Sequence, residues 1–406
     1  MVEELSLPDA PLLNMALVTR KNKTPLGISV HVPFCRSKCQ YCAFYSLACK
    51  DYKLMDGYQA AVCQHIKEAG QLAPNYLVDT IYFGGGTPSL LGADGLAAIL
   101  NTIRKYFDVS DHAEITFEAN PDSVTPRLLR RLRAEGFNRV SLGIQSDNDE
   151  ILKKLGRPHN YQQAVEAVQL IRKHRFKNLS VDLMYGLPGQ DLHSWMKTLK
   201  NVLSLKPEHI SCYGLTVEED TPLYEYQEFY NLADDDTQAD MYLAAVQILK
   251  EHNYRQYEIS NFCKKGYTSK HNMRYWRGSE YLGFGPDASS DFGGRRFSII
   301  RDLEGYIEGI RNGDAILREN QEISPSERAG EYLVTRMRTV YGIDKSEYER
   351  HYLLPFDALE AKLQEYARQD CAVKTYDGRW RLTPKGFLIS NTIISDLLLL
   401  QEQNQQ

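Results

Sequence analysis

The amino-acid sequence predicts an α/β fold with a parallel β-sheet, followed by a mainly helical C-terminal region. Two observations predict this fold. Apolar runs rich in β-branched residues recur six times between residues 27 and 217, with amphipathic stretches between them. Such alternation is typical of βαβ units, and strands that are apolar throughout are expected where helices cover both faces of a sheet. Six units are too few for a closed eight-stranded barrel, so this pattern is consistent with either an open sheet or a partial barrel.

Each predicted element follows from its residue pattern. Strands are predicted over residues 27–32, 78–83, 113–118, 139–145, 179–185 and 209–217, with helices over residues 91–106, 126–135, 161–174 and 192–205. The pattern then predicts a helix over residues 234–250, a strand over 254–262, a helix over 356–369, a hairpin over 371–382 and a final helix from residue 384. Asp377 and Gly378 favour the tight turn of that hairpin. The order helix, hairpin, helix indicates a winged-helix-like module.

The most informative motif follows the first strand, where Cys35, Cys39 and Cys42 lie within eight residues of each other. Three thiolates this close in one loop can hold one metal centre. A cubane iron–sulfur cluster usually takes four cysteines, so three would leave one iron an open position for a ligand. The alternative is a structural zinc site with Cys49 as the fourth ligand, although zinc sites more often use two separated C-x2-C pairs.

Glycine-rich and polar segments follow successive strands. Residues 84–88 (Gly-Gly-Gly-Thr-Pro) end the second strand and residues 118–121 (Glu-Ala-Asn-Pro) end the third. Gln145 ends the fourth strand and Asp182 lies within the fifth. Any one of these could be ordinary turn chemistry. Because active sites of α/β barrels form at the carboxyl ends of the strands, we expect all four to line one site with the cysteines.

Composition and charge indicate the compartment in which the protein works and the kinds of partner it can bind. The net charge of −5 argues against a general nucleic-acid binder, because contacts with phosphates need a basic surface. One local basic cluster (Arg127, Arg130, Arg131 and Arg133) has a spacing that fits a solvated helix face. The five other cysteines are scattered, the N-terminus is acidic, and no apolar run approaches the ~18 residues of a membrane span. We therefore expect a cytoplasmic protein without an integral membrane segment.

Several motifs together resemble a known family. C-x3-C-x2-C after a strand resembles the signature of radical S-adenosylmethionine (SAM) enzymes. Residues 257–262 (Tyr-Glu-Ile-Ser-Asn-Phe), 271–276 (His-Asn-Met-Arg-Tyr-Trp), 283–286 (Gly-Phe-Gly-Pro) and 382–386 (Leu-Thr-Pro-Lys-Gly) resemble the HemN/HemW group of radical SAM proteins, which includes oxygen-independent coproporphyrinogen III oxidase. The resemblance covers about residues 27–400 and is greatest to the heme chaperone branch, HemW. It implies a partial (β/α)6 radical SAM barrel with a mainly helical, winged-helix-like C-terminal domain.

The resemblance also implies cofactors and their contacts. Cys35, Cys39 and Cys42 would hold a [4Fe–4S] cluster, and SAM would chelate its fourth iron. By position, the SAM contacts would be Tyr41, Gly85, Gly86, Thr87, Glu118, Gln145, Arg157 and Asp182. Glycines let a ligand approach the backbone closely. Carboxylates suit the ammonium and ribose hydroxyls of SAM, and an arginine suits its carboxylate.

The run over residues 271–276 is the motif that the chaperone branch uses for heme. It implies heme contacts by His271, Asn272, Tyr275 and Trp276. A neutral imidazole is a common axial ligand of heme iron, and the aromatic rings could cover the macrocycle. From its residue context alone, His271 would more often be a packed, hydrogen-bonded core residue.

The implied function is that of a heme chaperone, which binds the cluster, SAM and heme and passes heme to an acceptor protein. The alternative is a radical SAM enzyme that acts on a porphyrinogen, as an oxidase or a methyltransferase. Reduction of the cluster would require an electron donor. Three positions depart from the family pattern, since Ser29, Ala43 and Ser289 stand where Tyr, Asp and His are usual.

The pattern divides the chain into four segments. These are an N-terminal extension (1–25), the radical SAM partial barrel (26–230), a connecting segment with the His271 motif (231–300) and a C-terminal domain (301–406).

Overall fold

A computed structural model of the chain describes residues 23–403. Most of the predicted N-terminal extension (1–25) therefore lies outside the described residues. The chain forms two compact units. The first contains the described residues up to Val181, together with residues 216–229 and 279–322. The second contains residues 182–215 and 230–278, together with the described residues from Ile323 onward.

The strands and helices follow one another closely along the chain. The first elements are β1 (Thr24–Val32), β2 (Phe34–Cys35), β3 (Leu47–Ala48), α1 (Tyr52–Gly70), β4 (Tyr76–Gly85), α2 (Gly92–Tyr106), β5 (Val109–Ala119), α3 (Pro126–Ala134), β6 (Arg139–Gln145), α4 (Asp149–Lys154), α5 (Tyr161–Lys173) and β7 (Asn178–Tyr185). The next are α6 (Leu192–Ser204), β8 (His209–Gly214), α7 (Pro222–Glu225), α8 (Asp235–Glu251), β9 (Arg255–Gln256), β10 (Asn261–Cys263), α9 (Lys270–Arg277), β11 (Tyr281–Phe284), β12 (Ser289–Phe292), β13 (Arg295–Ile299), α10 (Leu303–Asn312) and β14 (Leu317–Glu322). The last are α11 (Pro325–Met337), α12 (Lys345–Tyr352), α13 (Asp357–Arg368), β15 (Ala372–Lys374), β16 (Trp380–Leu382), α14 (Pro384–Leu388) and α15 (Ser390–Gln403).

The first unit is built on a sheet with the strand order β14-β13-β12-β11-β1-β4-β5-β6-β7. β1 pairs in parallel with β4 and β11, and the parallel ladder continues from β4 to β5 and β6. Helices α1, α2 and α3 connect these parallel strands, and the alternating pattern predicted α2 and α3 but not α1. The parallel strands carry a buried core, which includes Ile28, Val30, Ile81, Phe117 and Leu142. The carboxyl ends of β1, β4, β5, β6 and β11 therefore all lie at the same end of this sheet.

An antiparallel extension completes the first unit. β11, β12, β13 and β14 pair successively in antiparallel fashion beyond β1. The sequence pattern did not predict these four strands as part of the sheet. The strand order has β14 at one edge, so the described strands form an open α/β sheet and not a closed barrel.

The second unit begins within β7 and continues to β8, β10 and β9. The single strand predicted over residues 254–262 is wrong, because two short strands form instead. β10 pairs antiparallel with both β8 and β9, and the Tyr257 N–H donates to the Asn261 carbonyl at 3.1 Å. The residues between β9 and β10 thus turn the chain, which their apolar and β-branched composition did not reveal.

The C-terminal part of the second unit confirms the predicted order of helix, hairpin and helix. β15 and β16 pair antiparallel between α13 and α14. A core of fully buried side chains joins the helices, including Leu333, Met337, Leu363 and Leu397. No helix within residues 23–403 is both long and apolar enough to span a membrane.

Candidate functional site

The three cysteines lie in a loop whose base is closed by β2 and β3. Phe34 and Cys35 pair in parallel with Leu47 and Ala48. Within the loop the Cys42 N–H donates to the Cys39 carbonyl at 3.2 Å, which forms a turn. The thiols are close enough for Cys39 to raise the pKa of both Cys35 and Cys42, although burial is the main cause of those shifts. The fold therefore brings together the three predicted cluster ligands.

The zinc alternative requires Cys49 as a fourth ligand beside the three cysteines of the loop. Within the part of the chain that the structure describes, no three His, Cys, Asp or Glu side chains are arranged to hold a single metal ion. A zinc ion needs all its ligands within about 2.0–2.3 Å, whereas the cysteines of a cubane bind different irons and stand farther apart. The Sγ of Cys49 accepts a hydrogen bond from the Asp51 N–H at 3.3 Å, at the start of α1. The Cys49 thiol therefore already has a hydrogen-bond partner of its own at the start of α1.

The glycine segment after β4 packs against the cysteine loop. A Cβ on Gly86 would lie 2.7 Å from the Phe34 carbonyl oxygen and 3.1 Å from the Cys35 Sγ. Gly85 has a φ of +108°, and a Cβ there would lie 2.8 Å from the His31 ring. The Thr87 N–H donates to the Phe34 carbonyl at 2.7 Å. These glycines are thus required by close contact within the protein, in addition to any contact with SAM.

A hydrogen-bonded chain links the cysteine loop to the predicted SAM residues. The Arg157 guanidinium donates from Nη1 to the Cys39 Sγ at 3.5 Å and from Nη2 to the Asn120 Oδ1 at 2.6 Å. Asn120 donates from Nδ2 to the Thr87 Oγ1 at 3.1 Å, and that hydroxyl donates to the Cys35 Sγ at 3.7 Å. Three residues from three different segments, Thr87, Asn120 and Arg157, therefore link Cys35 to Cys39.

Arg157 also has a buried N–H group, at Nε, that donates to none of the described residues. Its Nη2 donates to the Gly143 carbonyl at 2.7 Å as well as to Asn120. Its Nε is buried and has no hydrogen-bond partner among the described residues. A buried guanidinium N–H without a partner is costly, and a carboxylate would satisfy it. The orphaned donor therefore fits the carboxylate end of an amino-acid ligand bound beside the cysteines.

The other predicted SAM residues of the first unit lie beside this group. Gln145 adopts a left-handed backbone conformation with a φ of +68°, which is unusual for a residue with a side chain. A Cβ on Gly143 would lie 3.0 Å from the Gln145 Nε2 and 3.2 Å from the Arg157 Nη2, so both side chains converge there. The Tyr82 hydroxyl donates to the Glu118 Oε1 at 2.7 Å and fixes that carboxylate.

Tyr41 lies close to Arg157. Burial raises the pKa of the Tyr41 hydroxyl, and Arg157 partly opposes that shift through its charge and a hydrogen bond. Tyr41 therefore remains a neutral phenol and a hydrogen-bond donor at physiological pH.

Asp182 is the first residue of the second unit, whereas the other predicted SAM residues belong to the first. Its Oδ1 accepts a hydrogen bond from the Ser211 hydroxyl at 2.7 Å. Sequence reasoning missed Ser211, and it also missed Asn120 and Tyr82. Asn120 lies in the polar segment 118–121 that the pattern singled out, whereas nothing in the sequence distinguishes Ser211 or Tyr82 from ordinary strand residues.

The predicted heme residues lie on α9 in the second unit. His271 is 1% exposed and its Nε2 is 2.9 Å from the Tyr275 hydroxyl, one helical turn away. Tyr275 is 37% exposed, so it covers the imidazole from the solvent side. Trp276 packs instead against the buried side chains of Tyr257, Cys263 and Met273. Asn272 contributes its backbone N–H to the Ser269 cap at 3.4 Å. The structure thus pairs His271 with Tyr275 and directs Trp276 to a core.

Glu258, in the predicted family motif at residues 257–262, is a buried carboxyl group of the second unit. It is 1% exposed, and its Oε2 accepts a hydrogen bond from the Ser260 N–H at 3.3 Å. Its Oε1 has no hydrogen-bond partner within residues 23–403. Burial raises the pKa of Glu258 from its ordinary value of 4.5 to about 7. The carboxyl group is therefore largely protonated in the folded chain below neutral pH.

We expect this raised pKa to make the folded chain less stable as pH rises from about 4.5 to about 7. In this window the folded state holds a proton that the unfolded state has lost, so each increase in pH favours unfolding. The full shift corresponds to about 3 kcal/mol. Glu258→Gln, which cannot ionise, should flatten this part of the pH dependence of the unfolding temperature. Equal slopes in the wild type and the variant would contradict the shifted pKa.

Comparisons with known proteins agree over more than nine tenths of the chain. The radical SAM superfamily matches residues 29–202, and the HemN C-terminal domain matches residues 323–389. Heme chaperone HemW of Haemophilus influenzae is 34% identical over 93% of this chain and 99% of its own length. Heme chaperone HemW of Bacillus subtilis is 32% identical over 91% of this chain and 98% of its own length. The solved structure of coproporphyrinogen III oxidase (HemN) from Escherichia coli matches with a TM-score of 0.81 at 23% identity, over 94% of this chain and 91% of that one, and shows the fold alone.

Proposed function

We propose a heme-chaperone function for this chain, which belongs to the heme chaperone HemW family of radical SAM proteins. It would bind heme and pass it to an acceptor protein. The observation that carries this proposal is the identity of 34% to a heme chaperone along 93% of the chain, because the match includes both compact units. The coproporphyrinogen III oxidase, at 23% identity, supports the fold and gives no comparable support for the oxidase alternative.

Membership of the radical SAM superfamily implies a [4Fe–4S] cluster and SAM. The cluster would be held by Cys35, Cys39 and Cys42. When bound, the reduced cluster supplies one-electron chemistry on SAM. Residues of the first unit would position the ligand: the Arg157 Nε would donate to its carboxylate, Glu118 would accept from its ammonium or ribose hydroxyls, and Gln145 could both donate and accept. Asp182 stays a contact that the family resemblance predicts. The backbone of Gly85 and Gly86 would form one wall, while Tyr41 and Thr87 would border it.

Heme would bind at α9, with His271 as the axial ligand. The imidazole cannot reach an iron while Tyr275 covers it, so binding requires the tyrosine side chain to rotate away. The Tyr275 side chain is 37% exposed, and its hydroxyl lies 2.9 Å from the His271 Nε2 that it would release. The released tyrosine could then contact the macrocycle, with Asn272 and Trp276 at its border. Burial of His271 would keep the site closed until heme arrives.

We expect His271→Ala to abolish or shift the Soret band that appears when heme is added, and to weaken heme binding at least tenfold. Tyr275→Phe should instead make heme associate faster. It removes a hydrogen bond worth about 1 kcal/mol that competes with the iron, which corresponds to about fivefold faster association. Stopped-flow absorbance at the Soret band measures both effects.

His351→Ala is the matched control, because His351 is an exposed histidine of the same unit. It should leave heme binding unchanged. If His271→Ala and His351→Ala behave alike, His271 is a packed core residue and heme binds elsewhere on the chain.

The proposal also includes the partners, the compartment and the domain division of the chain. A heme-acceptor protein and an electron donor would be the partners, in a cytoplasmic setting that suits an oxygen-sensitive cluster and reduced thiols. The four segments predicted from the sequence would be the N-terminal extension (1–25), the partial barrel (26–230), the segment with the heme motif (231–300) and the C-terminal domain (301–406).

A further inference from the structure

The Thr87 side chain lies against the first of the three predicted cluster cysteines. Its hydroxyl donates to the Cys35 Sγ at 3.7 Å, and its backbone N–H donates to the carbonyl of the preceding residue, Phe34, at 2.7 Å. Thr87 is 3% exposed, so little water can compete for the hydroxyl. Hydrogen bonds to the sulfurs of an iron–sulfur cluster help to set its reduction potential. The hydroxyl is therefore placed where it can act on a cluster in this loop.

The Thr87 hydroxyl has no other structural task in its own turn. Thr87 immediately precedes the short helical turn of residues 88–91. A threonine in this position usually accepts a backbone hydrogen bond with its hydroxyl. Here the Leu90 N–H donates to the Thr87 carbonyl at 2.9 Å, and the hydroxyl caps none of the described N–H groups of the turn. The side-chain oxygen is thus left to contacts outside the turn.

Asn120 determines the direction in which the Thr87 hydroxyl donates. A guanidinium can only donate, so the Asn120 Oδ1 faces Arg157, at 2.6 Å from its Nη2. The amide nitrogen of Asn120 therefore faces Thr87 and donates to the hydroxyl oxygen at 3.1 Å. Because that oxygen accepts from the amide, the hydroxyl hydrogen is directed to the Cys35 Sγ. The donors all run one way, from the guanidinium to the thiol.

A second contact holds the segment of Asn120 beside that of Thr87. The Asn120 N–H donates to the Ser123 Oγ at 3.2 Å, and the Ser123 hydroxyl donates to the Asn120 carbonyl at 2.6 Å. The Ser123 Oγ is also 2.6 Å from the Ser89 Oγ, two residues after Thr87. The two segments are therefore joined both through the Asn120 amide and through this pair of serines, which fixes the amide in place.

We propose that the Thr87 hydroxyl raises the reduction potential of the cluster through its hydrogen bond to the Cys35 thiolate. Asn120 is the residue that positions this hydroxyl. On reduction the cluster gains one electron and passes from [4Fe–4S]2+ to [4Fe–4S]+, while the reductant, dithionite in the test below, loses it; no bond or proton is transferred. The added negative charge strengthens the hydrogen bond, so the bond stabilises the reduced form more than the oxidised form. This inference rests on the cluster proposed above and does not depend on heme binding.

The test measures the midpoint potential of the reconstituted cluster, without SAM, by a dithionite titration followed by electron paramagnetic resonance. Thr87→Val removes the hydroxyl and keeps the size and branching of the side chain. It should lower the equilibrium constant for reduction about threefold to tenfold, which is a potential about 28 to 59 mV more negative for a one-electron couple. Thr87→Ser keeps the donor and should stay within twofold of the wild type. The matched control is Thr102→Val, whose hydroxyl donates to the Ala98 carbonyl of its own helix and which should also stay within twofold.

Asn120→Asp tests the positioning role. A carboxylate can only accept, so the Thr87 hydroxyl would donate to it and no longer to the Cys35 Sγ. The new charge also lowers the potential by itself, and that part should be the same with and without the Thr87 hydroxyl. We therefore expect Asn120→Asp to shift the potential less in the Thr87→Val background than in the wild type. The difference should be about the size of the shift that Thr87→Val causes alone.

Iron content and far-UV circular dichroism are recorded for every variant, and each should fold and hold about four irons per chain. Thr87→Ala takes the place of Thr87→Val if the latter does not fold. The proposal is overturned if the variant without a hydroxyl titrates like the wild type, if Thr87→Ser or Thr102→Val shifts the potential as far, or if Asn120→Asp has the same effect in both backgrounds. Loss of iron from a folded Thr87→Val variant would also overturn it, because the hydroxyl would then hold the loop together. A wild-type protein that assembles no cluster would instead refute the cluster itself.

Discussion

Replacing Cys35, Cys39 or Cys42 by alanine, one at a time, is expected to abolish the [4Fe–4S] cluster. With three ligands, each cysteine anchors a different iron, and the loss of one leaves two attachment points for a labile cubane. The broad visible absorbance of anaerobically reconstituted protein should disappear, and the iron and sulfide content should fall from about four of each per chain to nearly none. No other single substitution in the chain should have so large an effect on bound iron.

Cys49→Ala is the informative control for this experiment. The Cys49 N–H donates to the Cys35 carbonyl and its Sγ accepts from the Asp51 N–H, so this thiol is near the loop but has a hydrogen-bond partner of its own. It should leave the iron content unchanged. If Cys49→Ala removes the metal, or if zinc occupies the loop after anaerobic purification, the cluster assignment is wrong.

Arg157→Leu is expected to weaken SAM binding about 30- to 160-fold. The guanidinium is buried, bridges Cys39, Asn120 and Gly143, and offers its Nε to a carboxylate. Loss of hydrogen bonds to a charged group costs about 2–3 kcal/mol, which corresponds to this change in dissociation constant. Equilibrium dialysis with labelled SAM on the reconstituted protein measures it.

Arg130→Leu provides the matched comparison, because it removes an exposed arginine of α3 and should not change SAM affinity. Far-UV circular dichroism on both variants separates a local loss from unfolding. Unchanged SAM affinity in a folded Arg157→Leu variant would show that the ligand carboxylate is bound by another group.

The parallel part of the fold was predictable because its signals are local. Each of the six predicted strands is present, and Arg139–Gln145 has the predicted ends. A strand buried on both faces and flanked by amphipathic helices leaves a strong pattern in the sequence. α1 was not predicted, although Asp51 caps it by accepting hydrogen bonds from the Lys53 and Leu54 N–H groups.

The antiparallel additions were less predictable because they depend on long-range pairing. β11 to β14 are short, and what places them beside β1 is pairing with a strand more than 250 residues away in the chain. The turn between β9 and β10 is stabilised by tertiary contacts, such as the bridge between Glu258 and Thr339. Strand propensity reports neither kind of contact.

The site was predictable in composition and less so in geometry. Residue spacing located the cysteine loop and the strand ends, and the structure brings the loop together with Thr87 and Arg157. The role of Asn120 as the link between Thr87 and Arg157 depends on three-dimensional proximity, as does the cover that Tyr275 forms over His271. Sequence motifs identify such residues, but they do not show which of them form hydrogen bonds with one another.

The most direct test of the heme-chaperone proposal is one anaerobic experiment on reconstituted protein that holds its cluster. Heme is titrated in while the Soret band is recorded, and a parallel sample receives coproporphyrinogen III, SAM and a reductant for product analysis. We predict that one heme binds per chain with the cluster retained and that coproporphyrinogen III is recovered unchanged. Conversion of coproporphyrinogen III with consumption of SAM, together with no Soret band on heme addition, would contradict the proposal and identify the chain as an oxidase.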